Sequence, residues 1–501
     1  MKFQDAYPEL LERLRRLHTL YTVADLLSWD EQVNLPPDSA DQRLDQLSLL
    51  AELQHSEGSA PRIGELISAL ESEGSSLSAP QLAVVKMARK NFDRVAHLPV
   101  AFVREKAEHC SRSYHAWVEA RQKSDFASFA PFIAKHLELA RKEASLMGWG
   151  DRAYDYLLDL HDPGVDSAFL QTIFEELRSG LVPFAQQVVS SPVKADTGFL
   201  RGYDVEAQKR FARDVVASLG LNFKRGRLDE SVHPFCSGTG ADLRMTTRFD
   251  VNNPFDSLFS AIHESGHGLY EQGLPREHPG SALGLPAGMA VHESQSRLWE
   301  NQVARSHGFW NHFEPRFRAA FPDQMAGVSS EAMYLAVNAV TPTLIRVDSD
   351  EVTYNLHILL RFDIERRLFS GEIKVEDLPR AWKIASLQLL GLLPENDREG
   401  VLQDVHWSCG DFGYFPSYAL GNMFAAQLWY RALELMPGME YDFACGDFTK
   451  FLGWLRQEVH SQGRQFTLPE LVRRSTGAEL SPKPLLRYLK ERYGPLYLHE
   501  G

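Results

Sequence analysis

The chain has 501 residues, 44% hydrophobic and 24% charged, a balance that fits a folded globular protein and excludes disordered, collagenous and membrane-embedded classes. At roughly 150 residues per domain, the length allows about three domains or one large multi-lobed unit. The net charge of -14 argues against a surface built to coat nucleic acid, which needs cationic groups against phosphate.

The opening MKFQDAYPELLERLRRL is charged throughout and lacks the apolar core of a secretory leader. No apolar stretch approaches the ~18 residues of a membrane span, so a cytoplasmic setting is expected. From Tyr7 to Asp25 apolar residues recur at helical spacing, and the paired prolines Pro36 and Pro37 should end that helix. Helical periodicity resumes over Leu44–Gln54, and Gly74–Pro80 reads as a short linker. Gln81–Leu146 reads as long helices broken near Pro99 and Pro131. Asp242–Asp250, DLRMTTRFD, alternates apolar Leu243, Met245 and Phe249 with polar neighbours and is the clearest strand. The remainder, on to Leu498, again reads as helix. The expected fold is therefore mainly α with one small β-sheet. The cysteines Cys110, Cys236, Cys409 and Cys445 lack C-x-x-C spacing and read as reduced thiols.

The strongest chemical signal is His263-Glu264-Ser265-Gly266-His267, an H-E-x-x-H pattern. Residues four apart on a helix stack on one face, so both imidazoles can reach one metal while Glu264 lies beside the open position. The context favours a helix: Asn252 or Asn253 can cap, Pro254 suits the first turn, and Leu258, Phe259, Ile262 and Leu269 form an apolar stripe. Gly266 and Gly268 weaken it, which implies either close approach of another element or the helix end. A catalytic metal needs a third ligand, for which Glu271, His278, His292, Glu293 and Glu300 qualify. After the loop GLPREHPGSALGLPAG a second helix should start near Ala290, with Glu293 the first choice and Glu300 the second.

The run HESGHGLYEQGLP followed by HESQSR resembles the carboxypeptidase Taq family of metallocarboxypeptidases. The resemblance extends to HPF at His233–Phe235, to Asp242, Arg244 and Thr246 as D-x-R-x-T, and to Gly400, Gln403, Asp404, His406 and Trp407 as G-x-x-Q-D-x-H-W. SWDEQVNLPP near the N-terminus is similar as well. The family's I-R-x-x-A-D stands here as Ile345-Arg346-Val347-Asp348-Ser349-Asp350, with serine in place of alanine. The resemblance implies Glu293 as third ligand, zinc as the metal with cobalt as an alternative, and a broad range of peptide substrates. It also implies a homodimer and an oligopeptidase-like helical fold in which the Arg244 and Arg346 motifs border a central groove. The whole of 1–501 is then one peptidase unit, with an N-terminal helical region over 1–200 and a catalytic region over 201–501.

A carboxypeptidase must hold a free α-carboxylate, and the guanidinium fork suits that task. Arg346 and Arg244 are the candidates, against plain ion pairs with Asp350 and Asp242 respectively. His406 and Tyr414 are expected as donors to the developing oxyanion. Glu264 is expected to take the proton of the attacking water and pass it to the leaving amine. Asp348, Asp350 and Asp404 are expected as orienting carboxylates for a ligand imidazole, and the charged run Arg361–Arg367 as a solvated face. The competing readings are an endo-acting zinc oligopeptidase, for which cleavage of an amidated peptide would be the mark, and a non-catalytic peptide-binding helical protein. The latter should have lost Glu264 or a ligand, and this chain retains them.

Overall fold

The computed structural model describes residues 3–498, so the first two and last three residues of the expected 1–501 unit lie outside the described residues. The first helix, Phe3–Val33, stops just before Pro36 and Pro37, as the ring geometry of proline requires. It is followed by Ala40–Gly58 and Pro61–Ser72. Arg43, buried, ties the first helix to the second by donating to the Leu27 carbonyl and to Asp30 Oδ2 at 2.6 Å. Leu10 and Leu14 pack with Ile63, Leu66, Ile67, Leu70, Val84 and Val85 in one apolar cluster.

Contacts gather the chain into two compact units, each discontinuous in sequence. One holds Met1–Ala96, Asp196–Val337 and Phe424–Glu479, and the other His97–Ala195, Asn338–Met423 and Leu480–Gly501. The H-E-x-x-H motif thus shares a unit with the N-terminal helices.

That first unit carries the sheet. Strands β1 (Gly226–Glu230), β2 (Phe235–Thr239) and β3 (Asp242–Thr247) lie in the order β1-β3-β2. The central β3 pairs parallel with β1 and antiparallel with β2. The expected alternation holds where it matters for packing, since Leu243 and Met245 are fully buried. Strand β3 is shorter than expected, ending at Thr247, because Asp250–Asn253 turns to cap the next helix. Thr246 does not share a solvent-facing edge with Asp242 and Arg244. It is buried, and its hydroxyl accepts from Phe235 N at 3.0 Å, which pins the start of β2. The sequences of β1 and β2, GRLDE and FCSGT, lack apolar alternation because both flank β3 half-exposed.

In the second unit, one expected break is misplaced. Helices Val100–Lys123 and Phe126–Leu146 are separated at Ser124, in the left-handed region at φ 52°, and Asp125 caps the restart by accepting from Ser128 N at 3.3 Å. Pro131 lies inside the second of these helices. Its missing N–H removes one bond, and burial of Phe129 and Ile133 on either side outweighs that loss. The helix Glu351–Ser370, capped by Asp350 through Thr353 N at 2.9 Å, corrects a second expectation. Arg361 on it is fully buried, not solvated, because Asp404 and Gln403 meet its guanidinium. Arg366 and Arg367, beside Glu372, and Asp363, beside Arg178, remain partly exposed. No described helix is long and apolar enough to cross a membrane.

Candidate metal centre and active site

The motif helix runs Pro254–Gly273. Asn253 Oδ1 caps it by accepting from Asp256 N at 3.2 Å, and Leu258, Phe259, Ile262 and Leu269 bury its apolar stripe. The two glycines mark close approach and not the helix end. A Cβ on Gly266 would lie 2.6 Å from both Gln295 O and Ser296 Cα, so the second motif helix, Met289–Arg297, packs backbone to backbone here. A Cβ on Gly268 would lie 2.6 Å from Leu243 Cδ2, where the helix sits on β3.

That close crossing brings the second helix's carboxylate to the two imidazoles. Glu293 Oε2 lies 3.7 Å from His263 Nε2 and 3.6 Å from His267 Nε2. One ligand atom from each of His263, His267 and Glu293 falls within 4.8 Å of the others. The set of two nitrogens and one carboxylate oxygen suits a divalent cation with an open fourth position. Glu293 is itself held: Arg297 Nε donates to Oε1 at 2.7 Å and Ser296 Oγ to Oε2 at 3.1 Å.

Beyond Arg297 the helix widens into a π-helical turn over Leu298–Val303, a rare conformation found often at functional sites. This turn carries Glu300, whose Oε2 lies 2.8 Å from His263 Nδ1 and accepts from Arg297 at 3.1 Å. Burial alone would raise the Glu300 carboxyl, yet Arg297 and the His263 hydrogen bond bring it down to about 2. Ionised, Glu300 fixes a proton on His263 Nδ1, so Nε2 is the nitrogen that faces Glu293. The carboxylate that orients this imidazole is therefore Glu300, not Asp348, Asp350 or Asp404. Asp350 caps a helix and Asp404 binds arginines. Glu264, beside the trio, is buried and pushed up to about 7, chiefly by burial; His263 opposes the shift, and Glu293 and Glu300 add to it.

The second unit assembles a different group. Arg346 is buried, with Nε 3.0 Å and Nη2 2.9 Å from Asp404 Oδ1, and Nη1 donates to Tyr354 Oη at 3.1 Å. The alternative ion pair with Asp350 is absent. Arg361 shares Asp404 through Oδ2, so two guanidiniums meet one carboxylate. His406 packs against Phe415 and Tyr414 with ring centroids 4.6 and 5.3 Å away, and its Nδ1 is buried with no hydrogen-bond partner among the described residues. Burial holds its imidazole down at about 4, with Asp404 opposing and Arg346 and Arg361 assisting. Arg244 belongs to the first unit: Asp242 grips it at 2.8 and 3.0 Å, and Trp29 stacks on its guanidinium at 4.5 Å. Residue-level reading missed Arg297 and the π-turn that presents Glu300. The only signal available was that Glu293, Arg297 and Glu300 fall on one helical face.

Residues 9–493 match the sequence model of the carboxypeptidase Taq (M32) metallopeptidases. The chain belongs to this family. It is 41% identical to thermostable carboxypeptidase 1 of Thermus thermophilus, across 98% of this chain and 99% of that protein. It is 37% identical to carboxypeptidase 1 of Bacillus subtilis, covering 98% of each. The solved M32 carboxypeptidase of Deinococcus radiodurans R1 superposes with a TM-score of 0.94 at 42% identity, covering 98% of this chain and 99% of that one. The protein is thus a metallocarboxypeptidase, a peptide hydrolase whose family implies a divalent metal ion. The His263, His267 and Glu293 cluster fits such an ion.

Proposed function

We propose that this carboxypeptidase uses zinc, with cobalt as a substitute, held by His263, His267 and Glu293, to release single residues from the C-termini of peptides. The observation that carries this reading is the convergence of three ligand atoms beside a buried carboxyl, Glu264, on the same helix. A divalent ion there supplies Lewis-acid polarisation of the scissile carbonyl and acidifies water. Glu264 accepts the proton of the attacking water and passes it to the leaving amine. His406 and Tyr414 donate toward the oxyanion. For His406 the support is its unpartnered buried nitrogen.

Arg346 holds the terminal carboxylate, with Arg244 as the second choice. Its support is electrostatic: two buried guanidiniums, Arg346 and Arg361, share the carboxylate of Asp404, with Glu365 acting on Arg361 as well, so the positive charge of the buried cluster is only partly offset. Such a charge attracts a carboxylate more strongly than it would in water. Arg244 is fully paired with Asp242. The protein is further proposed to be a cytoplasmic homodimer, which light scattering and cell fractionation test. The deciding experiment for the activity is metal analysis together with a mass-spectrometric time course on a free-acid peptide and its C-terminally amidated twin. Stepwise loss of C-terminal residues from the free acid alone is expected. Internal cleavage of both peptides would replace the reading with an endo-acting one.

A further inference from the structure

We propose that Glu271 and His292 are positioning residues for His267, forming a carboxylate–imidazole relay that sets which nitrogen of His267 faces the metal. The proposal rests on His263, His267 and Glu293 being the ligand set. His267 Nδ1 lies 2.5 Å from His292 Nδ1, and His292 Nε2 lies 3.0 Å from Glu271 Oε1. Glu271 follows His267 by one helical turn and stands on the same face of the motif helix, while His292 directly precedes Glu293 on the facing helix. The close crossing at Gly266 brings these groups within reach of one another.

The chemistry of the chain leaves one consistent arrangement. An ionised carboxylate only accepts, so His292 carries its proton on Nε2 and offers a lone pair at Nδ1. Two lone pairs cannot face each other at this distance, so His267 carries its proton on Nδ1. Its Nε2 lone pair is then free, on the side where Glu293 Oε2 lies 3.6 Å away. The His292 backbone also bonds the His267 ring; without the side-chain relay that bond alone opposes the other tautomer, in which Nε2 donates to Glu293 and a hydrogen bond occupies both ligand atoms. The two ligand imidazoles are therefore held differently: His263 by Glu300 directly, His267 through a second imidazole. Glu271 also faces His18 and Asp25 of the N-terminal helix and Arg464, so the relay ends among charged groups from two further segments.

The test uses the full chain with four substitutions: His292→Phe, His292→Gln, Glu271→Gln and Glu271→Leu. Zinc dissociation constants are measured by competition with a chromophoric chelator, the cobalt-loaded forms by visible absorption, and the metal-free forms by thermal melting. His292→Phe should weaken zinc about 10- to 100-fold and alter the cobalt spectrum. His292→Gln should recover part of that loss, because its amide oxygen accepts from Nδ1–H. Glu271→Gln, which keeps an acceptor, should lose less than Glu271→Leu. All four metal-free melting temperatures should stay near that of the native chain. Native zinc affinity in His292→Phe, equal losses in Phe and Gln variants, or losses that track a fall in metal-free melting temperature would each overturn the relay. Undiminished zinc in Glu293→Gln would overturn the ligand set instead, whatever the His292 variants show.

Discussion

Glu300 Oε2 stands 2.8 Å from His263 Nδ1, on a π-helical turn seven residues beyond Glu293. The two carboxylates therefore meet the same imidazole on opposite nitrogens, and their proposed roles separate by geometry: Glu293 Oε2 lies at Nε2, near His267 as well, and Glu300 lies behind the ring at Nδ1. Glu293→Gln should lose bound metal on dialysis. Glu300→Gln should still bind one equivalent with affinity about 10- to 100-fold weaker. Full metal retention by Glu293→Gln, paired with complete loss in Glu300→Gln, would reverse the two roles.

Glu264→Gln should keep fold and metal while turnover falls by about two to four orders of magnitude, because an amide cannot accept the proton from water. Single-turnover kinetics on the metal-loaded variant check this. Near-native rates with metal bound would remove Glu264 from the proton path.

Arg346→Ala removes the guanidinium nearest Tyr354 and leaves Asp404 paired with Arg361. A lost charge-assisted pair to substrate in a desolvated site costs about 2 to 5 kcal/mol. The value of kcat/KM on free-acid peptides should fall accordingly, with far smaller loss on an amidated peptide, itself a poor substrate. Equal losses on both would show that Arg346 serves only the Asp404 ion pair, leaving Arg244 as the carboxylate anchor.

Gly266→Ala places a methyl group 2.6 Å from the backbone at Gln295 and Ser296. Neither atom belongs to a side chain that can swing away, so the two ligand helices must part. A loss of about 1 to 3 kcal/mol in chemical denaturation is expected, together with weaker metal binding, since Glu293 moves with its helix. Native stability and metal content in this variant would show that the helices can re-seat without cost.

Acid sensitivity should begin well above the carboxylate range. Burial holds His136 at about 4 and His460 at about 3, against 6.5 for an unperturbed imidazole. Between those values the unfolded chain binds protons that the folded chain refuses. Each group's contribution is thus complete above pH 6.5 and is lost as pH falls toward about 4 for His136 and about 3 for His460, at about 1.4 kcal/mol per pH unit per histidine. Urea denaturation from pH 7 to 5 should show the decline. His136→Gln, which can still donate to the Ser408 carbonyl, should show a shallower one. An unchanged slope would mean that His136 is not held neutral.

Local pattern made much of the molecule legible. The apolar stripe of Leu258, Ile262 and Leu269, the Asn253 cap and the four-residue histidine spacing all act within one helix, and the chain displays them directly. Leu243 and Met245 likewise announced the central strand. Misreadings fell where a distant partner outweighed local preference. Pro131 stays helical because its neighbours are buried, and Arg361 is interior because Asp404, 43 residues later, neutralises it. The outer strands β1 and β2 left no alternation because none of their residues is fully buried, whereas β3 sets Leu243 and Met245 into the core.

What the amino-acid sequence determined alone was the reaction class and the helix that bears it, because H-E-x-x-H spacing and family motifs survive without coordinates. The tertiary structure decided which groups stand behind the proposed ligands. Glu300 on a π-turn, and Glu271 through His292, reach their imidazoles only because Gly266 lets two helices touch backbone to backbone. Hydrogen bonds of about 3 Å depend on where whole helices cross, and that crossing is set by packing across the unit and not by any run of neighbouring residues.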